Sequence, residues 1–253
     1  MKHFVLVHGA SHGAWCWYKV MTLLKSRGHN VTALDMAASG VNPMQAHEVG
    51  SFSDYFEPLM GFMESLTADE RVILVGHSVA GVGICVAMES FCEKISVAVF
   101  LTAAMPGPDF SCKAMDKMRA KKSFSQADVK YGYDNGPDNP PTSVALSTNF
   151  LKSNYYKLSP PEDFILATML LRPFPVFANK GKQGETMFTK ERYGSVRRVY
   201  LKCEEDDVYV QGIMVENNPP DEVMVVSGAD HMAMLSKPQE LCSCLLEIAD
   251  KYS

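Results

Sequence analysis

The chain has 253 residues, a formal net charge of −5 and a pI near 5.8. Hydrophobic residues make up 47% and charged residues 21%, ordinary values for one globular domain, or a core with an insertion, that buries a sizeable interior. The acidic balance leaves no electrostatic footprint for nucleic acid or an anionic membrane, and no apolar run approaches the ~18 residues of a membrane span.

The first hundred residues alternate between two periodicities. Short apolar runs without polar alternation occur at Phe4–Val7, Val31–Leu34, Val72–Val75 and Val97–Leu101, as expected of strands covered on both faces. Between them lie segments with helical spacing. The first runs from about Trp17 to Ser26, with Gly28 as its stop signal. The second runs from Ser53 to Leu66, and the third from just after Ser78 to about Phe91. Strand and helix alternating at this spacing predict βαβ units around a mainly parallel sheet.

The pattern lapses from about Met105. Met105-Pro106-Gly107-Pro108, the run from Tyr131 to Pro141 and Ser159-Pro160-Pro161 are dense in Pro, Gly and Asn, which marks loops with short helices such as Pro161–Leu171 between them. Residues of about 105–187 are therefore expected to form a cap inserted into a single domain whose core is 1–104 and 188–253. Strand-like runs return at Arg198–Leu201 and Glu222–Val226. Ser236-Lys237-Pro238-Gln239 resembles a capping box, and Leu241, Cys244, Leu245 and Ile248 share one face of a last helix.

The N-terminus shows no basic leader running into a long apolar stretch, so no signal peptide is expected. Seven scattered cysteines without a CxxC pair suggest reduced thiols in a cytoplasmic protein rather than disulfides or a metal site. Cys85, Cys92 and Cys244 read as packing residues.

The residues that carry chemistry sit at strand ends. Gly76-His77-Ser78-Val79-Ala80-Gly81 follows Val72–Val75 directly and opens a helix, which is the context of a nucleophile elbow. The usual pattern is GxSxG; here Ala80 takes the last place, adding one methyl group. A serine hydroxyl needs a base, and in the α/β-hydrolase fold the chain order is nucleophile, acid, histidine. His231, in Gly228-Ala229-Asp230-His231-Met232 after a strand and before the last helix, fits the histidine. The acid belongs to Glu204-Glu205-Asp206-Asp207, where position is clear but register is not. Two backbone amides should receive the oxyanion: Val79, after the nucleophile, and Ala10, in the loop after the first strand.

That loop also admits a rival reading. Gly9-Ala10-Ser11-His12-Gly13, with Asp35 ending the next strand about 22 residues beyond Gly13, imitates a dinucleotide fingerprint. Ser11 and Ala14 stand where close backbone approach demands glycine, and the rival leaves Ser78 and His231 unexplained.

The chain resembles the plant methylesterase family, which also contains hydroxynitrile lyases and methylketone synthases. The likeness runs nearly end to end, through His3–Ala10, Gly13–Lys19, Val31–Asp35, Ala38–Gly40, Glu93–Leu101, Arg192–Val196 and Gly228–Leu235. It implies an α/β-hydrolase fold, a mainly parallel sheet flanked by helices with an inserted cap. It implies cleavage of methyl esters of small plant metabolites: hormone, phenolic or alkaloid acids. The family's catalytic serine, aspartate and histidine fall on Ser78, Asp206 and His231, and its oxyanion amides on Ala10 and Val79. No cofactor and no metal are implied. The expected partner is a small-molecule ester, with a homodimer one assembly the sequence allows.

The subfamilies differ at readable positions. Hydroxynitrile lyases of this group carry threonine at Gly9 and a lysine directly after the histidine, where this chain has Met232, so lyase chemistry is not implied. Methylketone synthases resemble the Asn217–Val223 stretch but lack the serine and aspartate present here. Salicylate-binding relatives carry phenylalanine where Ala104 aligns, implying a roomier pocket. The alternatives are a decarboxylase or thioesterase in the same pocket, a lyase, or a hydrolase-fold ligand-binding protein.

Overall fold

The computed structural model describes residues 1–111, 125–177, 187–207 and 211–253. Six strands form one parallel sheet: β1 (His3–Val7), β2 (Asn30–Leu34), β3 (Val72–His77), β4 (Ile95–Leu101), β8 (Arg197–Cys203) and β9 (Glu222–Val226), in the order β2-β1-β3-β4-β8-β9. The central strands β1, β3 and β4 are apolar on both faces because helices cover both. Phe4, Leu6, Ile73, Val75, Val97 and Val99 pack with Trp17, Val20, Leu24, Leu241, Leu245 and Ile248. Val5, Val7, Leu74, Ala98 and Phe100 pack on the opposite side with Leu59, Met63, Ile84 and Met88. The run at Val31–Leu34, expected to be covered on both faces, lies at an edge and behaves differently. Most of β2 is only partly buried, and β9 exposes Val223 and Val225, because each edge lacks a neighbour on one side.

The first helix, α1 (Tyr18–Ser26), ends where expected, with Gly28 at φ +81°. The expected helix over Ser53–Leu66 is two helices, α2 (Phe52–Tyr55) and α3 (Glu57–Ser65). Pro58 has no N–H to donate back into α2, so the chain restarts at Phe56 with proline in the new first turn. The helix after Ser78, α4, spans Ala80–Ser90.

Between β4 and β8 the chain leaves the parallel sheet. The loop-rich reading missed a small antiparallel sheet there: β5 (Val129–Gly132), β6 (Ser143–Leu146) and β7 (Phe174–Pro175). Tyr131, expected in a loop, pairs with Val144. A π-turn, Leu151–Tyr155, and the helix Pro161–Leu170 follow β6 in the chain.

The last helix, Pro238–Tyr252, has no capping box. Ser236 closes the preceding helix Ala233–Ser236, its hydroxyl pointing back to the Met232 carbonyl, and Lys237 precedes Pro238 without a side-chain cap. Its buried face includes Leu241, Cys242, Leu245 and Ile248, while Cys244 is only partly buried.

The chain turns in opposite directions after β1 and after β3, toward β2 on one side and β4 on the other. A crevice opens outside the carboxyl ends of strands at such a switch point. Both Ser78 and the Gly9–Gly13 loop follow those two strand ends.

Candidate active site

Ser78 sits in the turn between β3 and α4 at φ +56°, a region few non-glycine residues occupy. Neighbours over-determine this geometry. The Ser78 N–H donates to the Leu101 carbonyl at 3.3 Å, and its carbonyl accepts from Ala104 at 2.9 Å and Gly81 at 3.2 Å. The tight approach predicted for the motif falls on Gly76 and Gly81 rather than on Ala80. A Cβ at Gly76 would stand 3.0 Å from Ile84, and one at Gly81 would stand 1.7 Å from the Ala104 carbonyl oxygen. Ala80 is fully buried, so its methyl group is accommodated.

His231 follows β9 after Gly228, which takes φ +65° to turn the chain inward. Its ring is fully buried, with Nε2 3.2 Å from Ser78 Oγ and Nδ1 2.8 Å from Asp206 Oδ2. A carboxylate only accepts, so Nδ1 carries the proton and Nε2 faces the serine as an acceptor. The ring of Tyr155 lies over His231 at 4.5 Å between centroids, and the His77 ring at 4.7 Å. His77 donates Nε2–H to the His231 carbonyl at 2.8 Å, which holds the loop in place.

The four carboxylates after β8 separate by what each one meets. Glu204 accepts from the Gly228 amide at 2.9 Å, Glu205 is exposed, and Asp207 pairs with Lys157 at 3.0 Å. Asp206 alone turns inward, where Thr102 Oγ1 also donates to Oδ2. Thr102 stands just past β4, its N–H bonded to the Leu201 carbonyl at 2.9 Å. Gln211 fastens the same loop from the other side through the Cys203 carbonyl at 2.8 Å and the Asp206 carbonyl at 3.3 Å. Thr102 and Gln211 carry no motif and were not expected from the sequence.

The Gly9–Gly13 loop packs directly on the elbow. A Cβ at Gly9 would stand 3.1 Å from Ser78 Cβ and 2.8 Å from His77 Nδ1. Among the described residues, nothing accepts a hydrogen bond from the backbone N–H of Ala10 or Val79. His8, His12 and His77 are all buried within this layer, and burial pushes each below the ordinary histidine range, His12 to about 3.

Asp35, central to the dinucleotide rival, is occupied otherwise. Oδ1 accepts from the Ala14 amide at 2.7 Å and Oδ2 from the Val41 amide at 3.1 Å. Gly13 and Gly40 close over it so tightly that a Cβ on Gly40 would stand 1.9 Å from Oδ1. The carboxylate pins two loops and has no face left for a ribose.

Among the described residues, no cluster of three or more His, Cys, Asp or Glu side chains is arranged to hold a metal, and no helix is long and apolar enough to cross a membrane. Among the described residues, six cysteines form no disulfide; burial pushes Cys16 and Cys203 well above the normal thiol range, so neither is a nucleophile.

Residues 4–243 match the family model of the α/β-hydrolase family. Methyl jasmonate esterase 1 of Vitis vinifera is 52% identical, the alignment covering 100% of this chain and 98% of that protein. Tomato methylketone synthase I, solved with 2-tridecanone, is 50% identical with a TM-score of 0.94 and covers 100% of this chain and 99% of its own. Polyneuridine aldehyde esterase is 44% identical with a TM-score of 0.91, covering 99% of this chain and 100% of its own. The chain belongs to the α/β-hydrolase family and, within it, to the plant methylesterases. It is a carboxylic ester hydrolase.

Proposed function

We propose that Ser78 attacks the carbonyl of a methyl ester while His231 Nε2 takes its proton and Asp206 holds the imidazolium that forms. The observation that carries this reading is the unbroken hydrogen-bonded chain from Ser78 Oγ through His231 to Asp206, at 3.2 and 2.8 Å. The amides of Ala10 and Val79 receive the oxyanion, each worth ~3 kcal/mol of transition-state stabilisation. Collapse of the tetrahedral intermediate sends the His231 proton to methoxide, and methanol leaves. Water deprotonated by His231 then attacks the acyl-serine and releases the acid.

The acid is a small plant metabolite of about jasmonate size. Two facts support it: the 52% identity to a methyl jasmonate esterase, and alanine at position 104, whose N–H bonds the Ser78 carbonyl at 2.9 Å. Residues of about 105–187 act as a cap over the crevice, part of which (112–124 and 178–186) lies outside the described residues. A cytoplasmic enzyme fits the free thiols. Cyanohydrin lysis is disfavoured because Met232 is a fully buried apolar residue with no cation to offer.

The test is a panel of methyl jasmonate, methyl salicylate and methyl indole-acetate assayed for methanol release by wild type and Ser78→Ala. The variant should lose at least ~10³-fold in kcat. Equal hydrolysis by both proteins overturns the mechanism; methyl salicylate as the best substrate, with bulkier esters inert, overturns the substrate reading.

A further inference from the structure

One short run between β6 and the helix Pro161–Leu170 touches both the His231 loop and the Gly9–Gly13 loop. Tyr155 lies on the His231 ring, and Tyr156 bonds His12 at 2.6 Å. Leu158 N–H and Ser159 Oγ both donate to Asp230 Oδ2, at 2.9 and 3.0 Å. Asp230 is fully buried and immediately precedes His231.

The loop carrying Ala10 is held at three successive carbonyls. Gly9 O accepts from His8 Nδ1 at 2.8 Å and from the His12 amide at 3.4 Å. Ala10 O accepts from His12 Nδ1 at 2.7 Å, and Ser11 O from the Arg172 amide at 3.0 Å. The contacts at Gly9 O hold the peptide that carries the Ala10 N–H, the His12 ring holds the next one, Ala10–Ser11, and together they set the turn about the Ala10 Cα and so the direction of its N–H. The loop does not hold this shape unaided, because Ser11 sits at φ +66°.

His12 is the middle link. Its ring lies between Trp15 and Tyr156, 5.5 and 6.0 Å from their centroids, and is 1% exposed. Burial keeps it neutral, so one nitrogen donates and the other accepts. Ala10 O can only accept, which makes Nδ1 the donor and leaves Nε2 to accept from the Tyr156 hydroxyl.

We propose that His12 and Tyr156 are positioning residues for the oxyanion site: the tyrosine sets the histidine, and the histidine sets the Ala10 peptide. The run that also covers His231 thus brings oxyanion donor and base into register together. This rests on the reading of Ala10 as an oxyanion donor, and it goes further in naming what aims that donor.

The experiment uses 4-nitrophenyl acetate for turnover and phenylboronic acid, which forms a tetrahedral adduct on an active serine, as a mimic of the charged intermediate. Tyr156→Phe should lower kcat about tenfold and His12→Ala about a hundredfold, since small misplacements of a reacting group have effects of this order. KM should change less than about twofold, and boronate affinity should fall in step with kcat/KM. His12→Asn, which keeps a donor near the Nδ1 position, should recover most of the loss, and adding Tyr156→Phe to it should do nothing further. If His12→Ala does not fold, Tyr156→Phe and His12→Asn carry the test alone. Unchanged boronate affinity in Tyr156→Phe, or additive losses in the double variant, overturns the proposal. If Ser78→Ala is inactive while these variants match wild type, only the positioning role fails; if Ser78→Ala is fully active, the underlying mechanism fails.

Discussion

The parallel sheet and the stretch between β4 and β8 differ in how much of their hold is polar. The sheet buries continuous apolar strands between two helical layers, and its functional side chains project from strand ends whose backbones are fixed by parallel pairing. The stretch between β4 and β8 also puts Leu151, Ala167 and Phe177 into the apolar clusters, but it adds a row of polar ties to the sheet layer: Tyr156 to His12, Arg172 to Ser11, Leu158 and Ser159 to Asp230, and Asp163 to Tyr18 and Lys19. Apolar burial is spread over many side chains and tolerates no local release, whereas discrete polar ties can open one by one. The site lies where the two meet. The first supplies precision and the second supplies access.

The largest effect should come from inside the sheet layer. Gly81→Ala would drive a methyl group to 1.7 Å from the Ala104 carbonyl, so the elbow must shift or the chain fail to fold. The expected loss is about 4 kcal/mol, or a fall in melting temperature of roughly 10 °C or more. A melt within a few degrees of wild type would contradict the rigid account of this layer.

Breaking a tie should act locally. Asp163 is 2% exposed and joins the helix Pro161–Leu170 to α1 through Lys19 and Tyr18. Asp163→Ala removes a buried carboxylate that accepts from both Tyr18 and Lys19, an effect of about 2 kcal/mol. Limited proteolysis should then cut within 105–187 before the core melts. Simultaneous loss of both regions would show one cooperative unit rather than two modes of attachment.

Acid should loosen the interface between the regions. His12 stays neutral in the folded chain down to about pH 3, while in the unfolded chain it protonates near the ordinary value of 6.5. Below pH 6.5 the unfolded state therefore binds a proton that the folded state refuses, and stability falls as pH falls, by up to about 1.4 kcal/mol per pH unit. His8 and His77 act in the same direction. Urea unfolding at pH 6.5 and pH 5 should show His12→Asn losing roughly 2 kcal/mol less than wild type over that range. Equal losses would remove His12 from the account.

The smallest effect should come from Thr102→Val, which takes one donor from Asp206 while keeping the shape. Stability should fall by about 1 kcal/mol and kcat/KM by about tenfold, with KM little changed. A variant with wild-type kcat/KM would mean that the Thr102 hydroxyl does not help to orient Asp206.

Much of the sheet layer was legible in the sequence because its order is local. Uninterrupted apolar runs, a glycine-bounded turn and the following helix place Ser78, and the same grammar places His231. For Asp206 the loop was legible, and the choice within it rested partly on resemblance. Four adjacent carboxylates look alike in one dimension, and partners distant in the chain (Gly228, Lys157 and Thr102) decide which one turns inward. The break at Phe56 was written in Pro58 but masked by an apolar pattern that continues across it. The antiparallel strands β5 to β7 escaped because they are short and sit among turn residues. His12 and Tyr156 escaped for a deeper reason: 144 residues separate them, and neither position carries a pattern until the fold brings them together.

The φ of +56° at Ser78 means that the folded chain would be better off without the serine proposed as its nucleophile. Glycine adopts that angle freely, so an inert Ser78→Gly protein should be as durable as the enzyme or more so. Selection for foldability alone would never keep the serine. Only selection for turnover can, and once that lapses a lineage is free to keep the scaffold and recruit its crevice for another trade.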